Sequence, residues 1–231
     1  MSATLMPVIF IPALLCDDAL YRDVIARLGD AIEAHVLSSP KPQLDDSVAD
    51  ILARAPATFA LVGTSYGGNL ALEVALAAPE RVIALWLMGC DPALPQPGGP
   101  DLAGGLEVTP DGVIDMLAGL VVRKEATEAA ATFKAMAQRV GGAAGAAQAR
   151  ALGSRKEMAS RLGALTMPAL VLWGAEDALV PVPIGRTLAD DLPHAHFHVL
   201  KECGHLPTLE QPAECAALFG EFLHDEGGHA H

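Results

Sequence analysis

The feature that most constrains this chain is a serine set among glycines, Gly63-Thr64-Ser65-Tyr66-Gly67-Gly68. A buried-strand pattern, Phe59-Ala60-Leu61-Val62, runs directly into it, and a helical pattern from Gly68 to Ala78 runs directly out. A serine at such a junction sits on a tight turn with its Oγ lifted above the end of a sheet. The start of the following helix places positive potential beside it. Gly63 and Gly67 fall where a Cβ would crowd the turn. An ordinary strand-to-helix turn that contains a serine has the same letters. A phosphate-binding loop fits less well, because no Gly-Lys-Ser/Thr follows.

The patterns on either side repeat the alternation of strand and helix. Val8 to Ile11 reads as a buried strand ending at Pro12, and Asp17 to Leu28 as a helix with Asp17 as N-cap and Gly29 as stop. A weak strand over 34–37, a short helix over 47–55 and a strand over 82–88 follow. Strand character returns at 169–173 and near 196–200, and 213–222 reads as the last helix. This rhythm predicts an α/β fold, a mostly parallel doubly wound sheet covered on both faces. It is interrupted after Pro92 by a loop rich in Pro and Gly. An Ala-rich helical stretch from Val113 to about Leu162 comes next, with expected breaks at Gly141-Gly142 and Gly145. The expected organisation is a core of residues 1–91 and 167–231 with a small helical cap insertion over 92–166. The tail from Gly227 to His231 is expected to fray.

The elbow in this setting resembles the α/β-hydrolase superfamily, among its small esterase-like serine hydrolases. Two further segments carry the resemblance. Leu170 to Pro181, with Trp173-Gly174-Ala175-Glu176-Asp177, is similar to the family's strand-plus-acid segment and implies Asp177 as the acid, with Glu176 a competitor beside it. Cys203-Gly204-His205-Leu206-Pro207, followed by Glu210 and Pro212, is similar to the histidine loop and implies His205 as the base. The order Ser, Asp, His is that of the family. A serine hydroxyl needs such a base, and the base needs a carboxylate to fix its tautomer. The resemblance also implies an oxyanion hole from the backbone N–H of Tyr66 and that of Leu14. Pro12-Ala13-Leu14 stands where relatives often carry His-Gly before the donor. Little chain precedes the first strand, so a sheet trimmed at the N-terminus is expected.

The remaining residues leave choices open. Leu15, Met116, Leu120 and Leu206 are expected substrate-binding residues. Met116, Leu117, Leu120, Phe133 and Met136 line an acyl pocket or form the core of the cap. His194, His196 and His198 alternate on one strand face, as a metal site or as edge solvation; no metal and no cofactor is expected, because the triad needs neither. Cys16 and Cys203 flank the site loops.

Composition removes several function classes. The net charge of −13 disfavours nucleic acid and anionic membrane partners. No apolar run reaches the ~20 residues of a membrane helix. The four cysteines form no Cys-x-x-Cys pair, and without an export signal a cytoplasmic location with reduced thiols is expected. A small-molecule substrate is the expected partner, and oligomeric state is not legible. The first functional reading is a carboxylic ester hydrolase for small to medium apolar substrates, through an acyl-enzyme on Ser65. The alternatives are a carbon–carbon bond hydrolase, a thioesterase or lactonase with the same triad, and a hydrolase-like receptor without turnover. A dehalogenase is disfavoured because the elbow carries Ser and not Asp.

Overall fold

The structure is a computed structural model and describes residues 5–95 and 98–227. Six strands form one sheet: β1 (Met6–Ile11), β2 (Ile32–Val36), β3 (Phe59–Thr64), β4 (Val82–Met88), β5 (Ala169–Gly174) and β6 (Ala195–Leu200), in spatial order β2-β1-β3-β4-β5-β6. Every pairing is parallel. Parallel strands need crossovers that cover both faces, which is why β1, β3 and β5 read as unbroken apolar runs.

The pleat divides these runs between two cores. Val8, Phe10, Val62, Trp86, Met88 and Leu172 face one side, where α1 (Arg22–Leu28) and α10 (Pro212–Gly227) pack. Trp86 stacks there on Phe219, with ring centroids 4.4 Å apart. Ile9, Ile11, Leu61, Leu85, Leu87, Val171 and Trp173 face the other side, under α2 (Leu44–Arg54), α3 (Tyr66–Ala77) and α8 (Val182–Asp191).

Between β4 and β5 run α4 (Leu102–Val108), α5 (Pro110–Ala118), α6 (Thr127–Val140) and α7 (Gly142–Gly153). Their apolar faces, including Leu106, Ile114, Leu117, Phe133, Met136 and Ala146, merge with Ala13 and Leu15 into the first core. A short helix, α9 (Pro207–Glu210), follows β6.

Some boundaries differ from the sequence expectations. The helix expected from Asp17 begins as a 3-10 turn over Asp18–Leu20. The Asp17 side chain caps it by accepting from the Ala19 N–H, and Gly29 ends α1 at φ +52°. The helical stretch after β4 starts at Leu102, earlier than expected, with Asp101 as its N-cap. Gly141 breaks the chain at φ +80°, but Gly145 lies inside α7. A Cβ at Gly145 would fall on the Leu15 side chain, so this glycine serves close packing and not a break. Gly227 closes α10; the rest of the expected frayed tail, residues 228–231, lies outside the described residues.

Of the alternating histidines, His196 and His198 lie on edge strand β6 and share a shallow cavity with Glu221 and Asp225, while His194 precedes the strand. Among the described residues no three His, Cys, Asp or Glu side chains are grouped to hold a metal ion, and no helix is long and apolar enough to cross a membrane.

Candidate active site

The chain leaves β1 towards β2 on one side and comes back to β3 on the other, so a crevice opens between the carboxyl ends of β1 and β3. Tyr21 ties these two ends together. Its hydroxyl lies 2.9 Å from the Ile11 carbonyl, to which it donates, and 2.8 Å from Thr64 Oγ1. The next residue is Ser65, at φ +56° and ψ −119°, a conformation that side chains normally avoid. The elbow is held by the Ser65 N–H donating to the Met88 carbonyl at 2.7 Å. It is also held by two glycines that admit no side chain. A Cβ on Gly63 would strike the Gly67 backbone, and one on Gly67 would strike the Ile11 and Pro12 carbonyls.

His205 comes from the loop after β6 and is buried. Its Nδ1 lies 2.8 Å from Asp177 Oδ2, in the loop after β5. The other oxygen of Asp177 accepts the N–H groups of Leu179 and Val180, both at 2.9 Å. With both oxygens engaged, the carboxylate is held against rotating away from the ring. Glu176 points elsewhere and pairs with Arg123 Nη1 at 3.3 Å. Glu210, whose side chain is 3% exposed, takes the Gly204 N–H at 2.8 Å and the Arg123 N–H at 3.3 Å, joining the histidine loop to the segment after α5. Burial pushes the Glu210 carboxyl up from its ordinary range.

Ser65 and His205 open onto a single cavity of about 190 Å³. It is lined by Ala13, Leu14 and Leu206 from the loops beside them, by Leu179 and Val180 after Asp177, by Leu102, Leu117, Phe133 and Leu152 from α4, α5, α6 and α7, and by Val121 just beyond α5. The backbone N–H groups of Leu14 and Tyr66 have no partner among the described residues, Tyr66 being the first residue of α3.

Several expected wall residues are elsewhere. Leu15 is fully buried beneath α7, and Met116 and Leu120 are 46% and 37% exposed on the outer surface. On α5 the inward face is taken by Leu117, one residue and about 100° round from Met116, and beyond the end of the helix Val121 lines the cavity in place of Leu120. Met136 is core. The Tyr66 ring lies under α2, its hydroxyl donating to the Ser39 carbonyl at 3.2 Å, so it offers no polar tip to the cavity.

Sequence reasoning passed over Gly89, at φ +57° just beyond β4, where a Cβ would sit 2.9 Å from the His205 ring. Its signal was available: a glycine directly after a buried strand, as at Gly63. Ala13, Leu102, Val121, Leu152, Leu179 and Val180 carried no such signal.

A parallel sheet with a strained serine elbow at its switch point, backed by a buried histidine–carboxylate pair, defines a class of architecture. The model of the Alpha/beta hydrolase family matches residues 11–218. The chain belongs to that family. Among its relatives, the 2-hydroxymuconate semialdehyde hydrolase of Pseudomonas sp. (strain CF600) is 33% identical over 184 residues, covering 71% of this chain and 61% of that protein. The chain thus spans about three fifths of the length of this relative. A thermophilic esterase from Thermogutta terrifontis superposes with a TM-score of 0.85 at 20% identity, over 96% of this chain and 91% of the other. The enol-lactonase from Burkholderia xenovorans LB400 does so with 0.84 at 16%, over 98% and 93%. These two structural likenesses speak for the fold alone.

Proposed function

We propose that the chain is a serine-nucleophile hydrolase, with Ser65 as nucleophile, His205 as general base and acid, and Asp177 as the carboxylate that orients the histidine. One observation carries this reading: the strained elbow serine and the Asp177-bound His205 open onto the same apolar cavity. His205 takes the Ser65 proton as Oγ attacks a substrate carbonyl carbon. Negative charge gathers on the carbonyl oxygen, where the Leu14 and Tyr66 N–H groups are proposed to receive it. Collapse breaks the bond to the leaving group, which takes the proton from His205. A water molecule then repeats the sequence and releases the acid from Ser65.

The scissile bond is proposed to be carbon–carbon, ahead of the ester expected from sequence. A 2-hydroxymuconate semialdehyde has no ester, amide or anhydride, so a hydrolase of such a compound cleaves a carbon–carbon bond. Similarity to that relative supports the same bond here. The leaving carbon is then a conjugated enolate, protonated by His205. A second reading, ester hydrolysis, is favoured by the cavity. Among the described residues no Lys or Arg lines it, and its one basic group, His205, is taken up with Asp177 and the proton transfer, so a substrate carboxylate would find no dedicated cation there.

Purified protein assayed on a neutral conjugated 1,5-dicarbonyl compound, its carboxylate-bearing analogue and p-nitrophenyl butyrate ranks the two readings. Ser65→Ala is expected to abolish turnover of each substrate while leaving the thermal transition in place. A folded Ser65→Ala protein with undiminished turnover overturns the reading.

A further inference from the structure

We propose that Gln148, on α7 and 133 residues from Leu15 in sequence, is a positioning residue for the oxyanion loop. This rests on the reading of Leu14 as an oxyanion donor. Residues 13–16 form a turn closed by the Cys16 N–H donating to the Ala13 carbonyl at 3.0 Å. Leu15, its third residue, has φ +60°, a conformation that normally takes Gly or Asn. Such a residue persists only where its surroundings hold it.

Here α7 supplies the hold twice, from positions three apart on one helical face. Gln148 Oε1 accepts the Leu15 N–H at 3.0 Å. Gly145, which has no side chain, receives that of Leu15, whose Cγ lies 3.2 Å from where a Cβ would stand. Gln148 is only 2% exposed, so water does not replace it as acceptor. Its amide therefore fixes the direction of the Leu14–Leu15 peptide. Leu14, the neighbour in the same turn, thereby keeps its own N–H free for the cavity. Without the acceptor, the left-handed strain at Leu15 relaxes by rotating that peptide, and the Leu14 N–H loses its aim. Through α7 the helices above the sheet reach into the chemistry, although Gln148 touches no reacting atom.

Gln148→Met keeps the length of the side chain and removes the acceptor. Hydrogen exchange at the Leu15 amide is expected to quicken. Ser65-dependent kcat on p-nitrophenyl butyrate is expected to fall about 10-fold, short of the 10²–10³ of a deleted donor. KM is expected to change little, because the ground-state carbonyl makes weaker use of the hole. A trifluoromethyl ketone that mimics the tetrahedral state should lose affinity in parallel with kcat/KM. Gly145→Ala tests the same seat from its other side, with the hydrogen bond chemically intact, and is expected to lower kcat in the same pattern. It serves also if Gln148→Met does not fold.

Unchanged exchange at Leu15 in Gln148→Met overturns the proposal. So does an unchanged kcat in a folded variant, or a loss confined to KM. If turnover survives Ser65→Ala, the reading of the site fails first and the proposal falls with it; if only the Gln148 and Gly145 variants are silent, the proposal alone fails.

Discussion

Asp177 and Glu176 are adjacent carboxylates in opposite surroundings. Asp177 is buried and engages both oxygens, one with His205 and the other with two backbone N–H groups, whereas Glu176 is half exposed and shares a cation with Glu210. Asp177→Asn keeps the shape but presents an amide where the ring needs a carboxylate, and is expected to lower kcat by about 10³-fold or more. Glu176→Gln removes one exposed ion pair and is expected to stay within about 3-fold of the parent. Steady-state kinetics of the two variants on one substrate check the ranking, and the reverse order would reassign the acid. The four thiols are a second case at this scale. Burial pushes the Cys90 thiol up to about 12, and those of Cys16, Cys203 and Cys215 further. Since only thiolate reacts, native protein at pH 8 should resist iodoacetamide and keep its activity, while urea-unfolded protein takes up one label per cysteine. Rapid stoichiometric labelling of the native chain would contradict this. The Ser65 elbow was legible in its glycines and its strand-to-helix setting, and the pairing of Asp177 with His205 in the resemblance of their two segments to a known family. The cavity walls were not, since an apolar residue looks the same in a core as in a pocket.

At the scale of the elements, β4 and α10 meet through the Trp86–Phe219 stack in the centre of the first core. Trp86→Ala removes a fully buried ring, and is expected to cost about 3–5 kcal/mol, read as a lower urea midpoint at unchanged slope. Trp86 Nε1 has no acceptor among the described residues. Trp86→Phe keeps a ring against Phe219 and removes that donor, so it is expected to cost under about half as much. Equal losses would show that the stack contributes little. The inner strands β1, β3, β4 and β5 were easy to read because parallel strands buried on both faces become unbroken apolar runs, whereas edge strand β2, expected over 34–37, runs from Ile32 to Val36 with mostly part-exposed residues. The helices between β4 and β5 were harder. Alanine marks helix but weakly marks a face, so Met116 and Leu120 were expected in the pocket beside Leu117 and Phe133, of which only the last two line it, while Val121 was not foreseen. Gly145 looked like a breaker because its packing partner, Leu15, is distant in sequence.

For the whole molecule, a net charge of −13 and a cavity without a Lys or Arg among its described lining residues act together on substrate choice. Charged acyl groups lose hydration there without gaining a partner. Across p-nitrophenyl esters of increasing acyl length, kcat/KM is expected to rise with each early methylene, by up to about 0.8 kcal/mol, and to fall once about 190 Å³ is filled. A flat series, or a preference for carboxylate-bearing acyl groups, would show that the cavity does not hold the acyl chain.

The division between what was written in the sequence and what was not follows the range of the interactions. Local patterns determined the alternation of strands and helices, the elbow at Ser65 and the two loops with Asp177 and His205, because each depends on residues a few positions apart. Only the tertiary structure decided which side of α5 faces the cavity, that Gly89 leaves room for His205, that Tyr21 joins β1 to β3, and that Gln148 holds Leu15. These depend on contacts between residues up to 133 positions apart. No local period encodes such pairings; they exist only once the strand order and the packing of the helices have brought the partners together.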